Sequence, residues 1–137
     1  MDISEIKDFS VNSKSLKEVR EFSRKIISKS PILEESKEEL VLAIGEAAQN
    51  IVKHAYKDNL DTNDKMQIKI SFKNKILEIG FFDKGKPIVE ENIKHRSLDD
   101  IKPGGLGTYF IQQIMDEVVF KEATGWHNNL ILTKLPY

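Results

Sequence analysis

An α+β two-layer sandwich is the fold class that the sequence predicts, with a mixed, mostly antiparallel sheet and helices on one face. Two periodicities indicate it. Apolar residues recur at three- and four-residue steps in three segments, as on one face of an amphipathic helix, and they alternate with polar residues in a central hairpin. The predicted order is strand, helix, helix, strand, strand, long loop, helix, strand, strand, within a single domain over residues 1–137.

The first half of the chain supplies one strand and two helices. Residues 2–11 alternate poorly and are predicted to form an edge strand. Residues 15–28 follow the helical period, and this helix ends before Pro31 because a residue that precedes proline disfavours the helical conformation. The second helix is predicted over residues 36–56, and it opens at Ser36 with the Ser-x-x-Glu spacing of a capping box.

The second half supplies the hairpin, a long loop, one helix and two further strands. A turn at residues 73–75 connects the strands of the hairpin. Residues 84–104 show no clear period and carry mixed charges, and loops of this length in compact domains are usually functional or disordered. A third helix after Gly107 is predicted to bury Phe110 with its other apolar residues. The predicted strands cover residues 66–72, 77–81, 117–121 and 129–135.

Composition excludes several classes of function. The 21 basic and 22 acidic residues nearly cancel, which argues against direct binding to nucleic acid, because such domains usually carry a basic excess. Cysteine is absent, so disulfides, thiolate catalysis and cysteine-ligated metals are excluded. The N-terminus lacks the features of a signal peptide, and the apolar runs are well short of the ~20 residues that span a bilayer. We therefore expect a cytoplasmic protein that does not enter a membrane.

A carboxylate and an amide lie one turn apart in the second predicted helix. Glu46 and Asn50 are four residues apart, so their side chains share one stripe of the helix, which His54 continues. Glu46 could accept the proton of an attacking hydroxyl, and Asn50 offers a neutral oxygen to Mg²⁺ bound to phosphates. Gly45 costs ~1 kcal/mol relative to alanine in mid-helix, and a ligand or a backbone close to it would be a reason for it. A solvated Glu–Asn pair and a structural or surface histidine are the alternatives.

Asp83 ends an apolar strand and is followed two residues later by Gly85. A carboxylate can accept from the exocyclic amino group of adenine but meets a carbonyl on guanine, so Asp83 would select ATP over GTP. Gly85 would let the backbone approach the ring. The alternative is a simple Asx-turn, in which the aspartate bonds its own backbone two residues on.

A glycine-rich segment, Gly104-Gly-Leu-Gly107, directly precedes the third predicted helix. Helix N-termini present unpaired N–H groups and the positive end of the helix dipole, and glycines allow a phosphate to come close. The spacing of a P-loop is absent. A loop that merely turns after Pro103 is the alternative for this segment alone.

Taken together, these segments resemble the Bergerat-type ATP-binding fold of histidine-kinase-like ATPases, and most closely the bacterial anti-sigma-factor serine/threonine kinases. Residues 46–56 (EAAQNIVKHAY) resemble the N box, residues 83–87 (DKGKP) resemble the first glycine box, and residues 104–118 resemble the second. Length and element order are also similar, so the resemblance covers nearly the whole chain.

The resemblance implies a role for each matching residue. Glu46 would be the base that activates a serine hydroxyl on a partner protein, and Asn50 would ligate Mg²⁺. Residues 84–104 would form a lid over the nucleotide. Many relatives carry threonine where Asn128 stands, beside a water near the adenine, so this chain departs from them there. The cofactor-binding residues implied are Asn50, His54, Asp83, Gly85, Gly104, Gly105, Leu106, Gly107, Thr108 and Asn128.

The same resemblance implies partners. The kinase would use ATP and Mg²⁺ to phosphorylate a STAS-type anti-anti-sigma protein, would bind a sigma factor through Arg20, and would form a homodimer. An ordinary exposed arginine is the alternative for Arg20. Two other functions stay open: an ATP-dependent partner-binding module without catalysis, and a switch kinase of a stress-signalling complex. A histidine kinase is disfavoured because residues 12–30 contain no histidine to accept a phosphoryl group.

Overall fold

The computed structural model describes residues 2–56, 62–86 and 106–135. Within these residues five strands form one sheet in the order β1-β2-β3-β5-β4, and all four neighbouring pairs are antiparallel. The predicted mostly antiparallel sheet is therefore confirmed, with the N-terminal strand at one edge. The strands are β1 (Ile3–Ser10), β2 (Lys65–Lys73), β3 (Ile76–Asp83), β4 (Glu117–Phe120) and β5 (Asn128–Lys134).

Helices share one hydrophobic core with the inward side chains of the sheet, which confirms the α+β architecture. Val19, Leu40 and Ile44 from the helices are fully buried in the same cluster as Ile68 and Ile79 from the strands. Burying such aliphatic side chains stabilises a fold by about 1.5–3 kcal/mol each. The helices are α1 (Leu16–Ile27), α2 (Pro31–Glu34), α3 (Lys37–Asn50) and α4 (Leu106–Ile114).

The hairpin between β2 and β3 has the predicted position and a tight turn. Lys73 pairs with Ile76, so Asn74 and Lys75 alone connect the strands. Both have positive φ, 53° and 62°, as the type I′ turns that match the twist of a hairpin require. The pairing of β3 with β5 places Asp83, the last residue of β3, opposite Asn128 at the start of β5.

Helix α3 differs from its prediction at both ends. Ser36 occupies the N-cap position, but its side chain makes no capping hydrogen bond, so the predicted capping box is wrong. The α-helix ends at Asn50, and the chain continues as a π-helical turn over Ile51–Ala55 before Tyr56. Turns of this kind often occur at functional sites. Here the turn directly follows Glu46 and Asn50.

Two other expectations changed. The short helix α2 was not predicted; it begins with Pro31, whose fixed φ suits the first position of a helix. Phe110 was predicted to be buried, but it is 42% exposed, whereas Ile111 and Ile114 of the same helix are buried. The helical period identifies an apolar stripe, but it does not show which residues at the edge of that stripe stay uncovered by neighbouring elements.

The described ranges include only part of the predicted loop. Of the expected lid at residues 84–104, residues 87–104 lie outside them. Among the helices in those ranges, none has the length and apolar character needed to cross a bilayer.

Candidate functional site

Asp83 is the centre of a buried polar cluster at the end of β3. Its side chain belongs to a residue only 1% exposed, and one oxygen, Oδ1, accepts from the Gly85 N–H at 2.9 Å and from Asn128 Nδ2 at 2.8 Å. The bond to Gly85 is the Asx-turn that the sequence allowed as the alternative. Both of these donors therefore reach the same oxygen, Oδ1.

Burial controls the protonation of this carboxylate. It raises the pKa of Asp83 above the ordinary value, while the hydrogen bonds from Asn128 and Gly85 and the nearby His127 oppose the rise. Two donors aimed at a single oxygen favour the charged form, whereas loss of water favours the neutral form. Asp83 is therefore a buried acid, and the hydrogen bonds from Asn128 and Gly85 stabilise its ionised form.

The start of β5 holds the turn that follows Asp83. Asn128 Nδ2 also donates to the carbonyl of Lys86 at 3.1 Å, and the His127 N–H donates to the carbonyl of Asp83 at 2.9 Å. His127 Nδ1 lies 3.2 Å from the carbonyl of Gly85. The amide of Asn128 thus bonds the Asp83 carboxylate directly, and its predicted contact with a water near the adenine stays a prediction. The turn Asp83–Lys86 is thus bonded along its length to β5.

The aromatic ring of Trp126 contacts two residues beside Asp83, one on each side of it in the chain. The rings of Phe82 and Trp126 have centroids 5.7 Å apart, and Lys84 Nζ lies 5.5 Å from the centroid of the Trp126 ring. Sequence reasoning missed Trp126 and His127, because neither belongs to a periodic element or a recognisable motif. Their position just before β5 becomes informative only once β5 is known to pair with β3.

Glu46 and Asn50 are half-buried, one turn apart on α3, as predicted. Gln49, three residues after Glu46 on the same helix, lies beside the Glu46 carboxylate. In the amide orientation that satisfies both of its neighbours, Gln49 donates to Glu46 Oε2 and accepts from Lys53 Nζ, each at 3.2 Å. Glu46 is therefore on the accessible margin of the helix, where it can meet both solvent and a bound molecule.

Gly45 has a neighbour that the sequence did not indicate. A Cβ atom added to it would lie 3.4 Å from Cγ and 3.6 Å from Cδ of Arg20. The close neighbour is thus the aliphatic stem of a side chain on α1, not a backbone segment. Arg20 itself is exposed, so its guanidinium is available to a partner while its stem packs on α3.

Replacing Gly45 by alanine is expected to stabilise the protein by up to ~1 kcal/mol, because alanine is the better helix former and 3.4 Å is ordinary contact with a flexible stem. Urea unfolding measures this change. Gly80→Ala is the matched control with the opposite sign, since its Cβ would come within 3.1 Å of the Phe82 ring and 3.3 Å of Ile131. A less stable Gly45→Ala variant would contradict this prediction and show that the stem of Arg20 cannot shift to accommodate the added methyl group.

The remaining predicted site residues are only partly placed. His54 lies in the π-helical turn after Asn50, and its side chain is outside the described part. Gly104 and Gly105 lie outside the described residues altogether. Helix α4 begins at Leu106 and includes Gly107 and Thr108 in its first turn, with their side chains not described. The predicted helix start after the glycine pair is therefore in place. Its relation to a phosphate stays a prediction.

Tyr56 joins the two halves of the site and was not singled out from the sequence. Its ring is buried, and its hydroxyl donates to Asp64 Oδ2 at 3.2 Å and accepts from the Lys84 N–H at 3.1 Å. It thereby connects the segment that follows Asn50 to the residue after Asp83.

Comparison with known proteins identifies the class to which this arrangement belongs. Residues 9–134 match the family of histidine kinase-like ATPase domains, and the chain belongs to that family. This confirms the fold and family that the three sequence segments indicated.

Particular relatives can also be named. The chain is similar to the serine-protein kinase RsbW of Staphylococcus aureus strains MSSA476, MW2 and JH9. Each is 34% identical over 97 residues, which cover 63% of this chain and 59% of the relative. The chain thus spans about three fifths of the length of the curated relatives that it matches.

Proposed function

We propose that this domain is a protein serine/threonine kinase and anti-sigma regulatory factor, which transfers the γ-phosphoryl group of ATP to a STAS-type anti-anti-sigma protein. The observation that carries the proposal is the buried Asp83 carboxylate, held by Gly85 and Asn128 through one oxygen. Membership of an ATPase family supports ATP as the nucleotide. Relatives named serine-protein kinases support a serine as the acceptor.

The adenine end of the site would be formed by Asp83 and Gly85. Oδ2 of an ionised Asp83 can accept from the exocyclic amino group of adenine, because the bonds from Gly85 and Asn128 are made to Oδ1. Guanine presents a carbonyl at the same place, and two acceptors facing each other in a buried site are left unpaired. An acceptor at this position therefore fits adenine and disfavours guanine.

The phosphate end would be formed by α3 and by the start of α4. ATP with Mg²⁺ supplies the transferable phosphoryl group and neutralises its charge. Asn50 offers an amide oxygen, a ligand type that suits Mg²⁺ when phosphate oxygens complete its coordination. Glu46 would take the proton of the attacking serine hydroxyl, and the new O–P bond forms as the bond to the leaving ADP oxygen breaks. Gly104, Gly105, Leu106, Gly107, Thr108 and His54 would surround the phosphates, with residues 84–104 as a lid.

The proposed partners follow from the resemblance and from the exposure of α1. Arg20 is exposed there, so its guanidinium could pair with carboxylates of a sigma factor. A homodimer is proposed on the same resemblance. We further propose that the protein works in the cytoplasm, without direct contact to nucleic acid or membrane.

Phosphotransfer to a purified STAS-domain protein tests this function. The chain is incubated with radiolabelled ATP, Mg²⁺ and the partner, alongside a partner in which the acceptor serine is replaced by alanine. We expect acid-stable label on the first partner and none on the second. Acid-labile label would indicate phosphohistidine and overturn the assignment. Partner binding that depends on ATP but leaves no label would favour a non-catalytic binding module.

A further inference from the structure

The hydroxyl of Tyr56 is bonded to two segments outside the helical segment that carries this residue. Tyr56 follows the π-helical turn after Asn50, and its side chain is 3% exposed. It donates to Asp64, the residue before β2, and accepts from the N–H of Lys84, the residue after Asp83. One atom therefore bonds the end of the helical segment to the adenine-side turn.

The directions of these bonds explain why a phenol is needed. The backbone N–H of Lys84 can only donate, and an ionised Asp64 can only accept, so the group between them must accept from one and donate to the other. Burial, together with the carboxylates of Asp64 and Asp83, raises the pKa of Tyr56 to about 12. The hydroxyl accordingly stays protonated near neutral pH and can donate and accept at the same time.

The turn Asp83–Lys86 is held from two sides. From the sheet, Asn128 and His127 reach the carbonyls of Lys86 and Gly85. From the helical side, within the described residues, the Tyr56 hydroxyl reaches the N–H of Lys84. Removal of the bond between Tyr56 and Lys84 would leave the turn attached to the sheet but would break this connection to the helical side.

We propose that Tyr56 is a positioning residue, which sets the spacing between the phosphate-side groups Glu46 and Asn50 and the adenine-side turn Asp83–Lys86. The proposal rests on the function proposed above, because that function requires both groups of residues to hold one nucleotide. A nucleotide that contacts both groups of residues binds more tightly when their separation is already fixed, because ordering them during binding costs free energy.

Tyr56→Phe tests the proposal, with Ser23→Ala as the matched control. Ser23 is also buried and donates its hydroxyl to a backbone carbonyl, that of Val19 at 2.7 Å, but it lies within α1. Calorimetric titration with Mg-ATP and thermal unfolding are measured on both variants. We expect Tyr56→Phe to weaken ATP binding by about tenfold, the scale of one lost buried hydrogen bond. Ser23→Ala should lower the melting temperature and leave ATP affinity unchanged.

Asp64→Ala provides a second variant that leaves the phenol in place. Without its acceptor the hydroxyl loses its fixed direction, so ATP binding should weaken by a smaller factor than in Tyr56→Phe. The double variant should bind no more weakly than Tyr56→Phe alone, because both changes break the same connection.

The outcomes separate this proposal from the one on which it rests. A wild-type chain that takes up no ATP overturns the proposed function and the role of Tyr56 with it. A wild-type chain that binds ATP, beside a Tyr56→Phe variant that binds it equally well and differs only in melting temperature, overturns the role of Tyr56 alone. Additive losses in the double variant with Asp64→Ala would also overturn it.

Discussion

Glu46→Gln is expected to slow phosphotransfer by about 10²–10⁴-fold, the usual contribution of a positioned general base, and to leave ATP affinity nearly unchanged. Glutamine keeps the size of the side chain and its place on α3, but it cannot take the proton of the serine hydroxyl. Glu46 lies on the half-buried margin of the helix, so the substitution removes little packing. Rates are measured with radiolabelled ATP, and affinities by calorimetry; Glu46→Ala should give the same separation.

Glu39→Gln is the control for this result. Glu39 lies on the same helix, about two turns before Glu46, and is exposed in the first turn. The same chemical change there should leave the transfer rate at the wild-type level. Full activity of Glu46→Gln would refute the base assignment. A loss of ATP binding equal to the loss of rate would instead place Glu46 in nucleotide binding.

Asp83→Asn is expected to weaken ATP binding by about 10–150-fold, the range that corresponds to a hydrogen bond to a charged group. The asparagine carbonyl can still accept from Gly85 and Asn128, which leaves its NH₂ group facing the adenine amino group. Two donors would then face each other. The same NH₂ could donate to the guanine carbonyl, so the preference for ATP over GTP should shrink or reverse. Competition titrations with the two nucleotides measure it.

Asp83→Asn should lower the affinity for ATP but raise the thermal stability of the protein. Burial raises the folded-state pKa of Asp83 above its unfolded value, so its contribution to stability is fully present only below the unfolded pKa and is lost as pH rises through the folded pKa. Near neutral pH a neutral amide avoids this cost, and the variant should melt at a higher temperature than the wild type. ATP affinity of the wild type should fall as the pH is lowered through the raised pKa.

Asp116→Asn controls for the loss of a carboxylate that accepts a backbone N–H. Asp116 Oδ2 accepts from Leu135 at 2.6 Å, on the exposed surface. Its substitution should leave the ATP-to-GTP preference and the pH dependence unchanged. If Asp83→Asn retains wild-type ATP affinity, then Asp83 is a structural Asx-turn residue and the adenine assignment is wrong.

Most of the fold could be predicted because local patterns and tertiary packing agree along the chain. The apolar residues that alternate from Met66 to Phe72 form the buried side of β2. The turn predicted at residues 73–75 is formed by Asn74 and Lys75, which both have positive φ. The capping bond of Ser36 and the burial of Phe110 were wrong for a common reason. Both depend on how a side chain is oriented against its tertiary neighbours, which spacing along the chain does not determine.

The candidate site was predictable where chemistry coincided with a motif. Glu46, Asn50 and Asp83 combine distinctive side chains with recognisable spacing, so the sequence indicated them. Tyr56 and His127 were missed because their importance lies in bonds to the turn after β3, 28 and 42 residues away in sequence. Such contacts follow from strand pairing and helix packing, and no spacing rule along one chain contains them.

Calorimetric titration of the wild-type chain with Mg-ATP and, separately, Mg-GTP tests the central claim most directly. That claim is that the acid and amide of α3, the buried Asp83 and the glycine segment before α4 hold a single adenine nucleotide. Saturable uptake of one ATP per chain, with much weaker uptake of GTP, is the predicted result. Absence of heat and of competition with either nucleotide, or equal affinity for both, would contradict it.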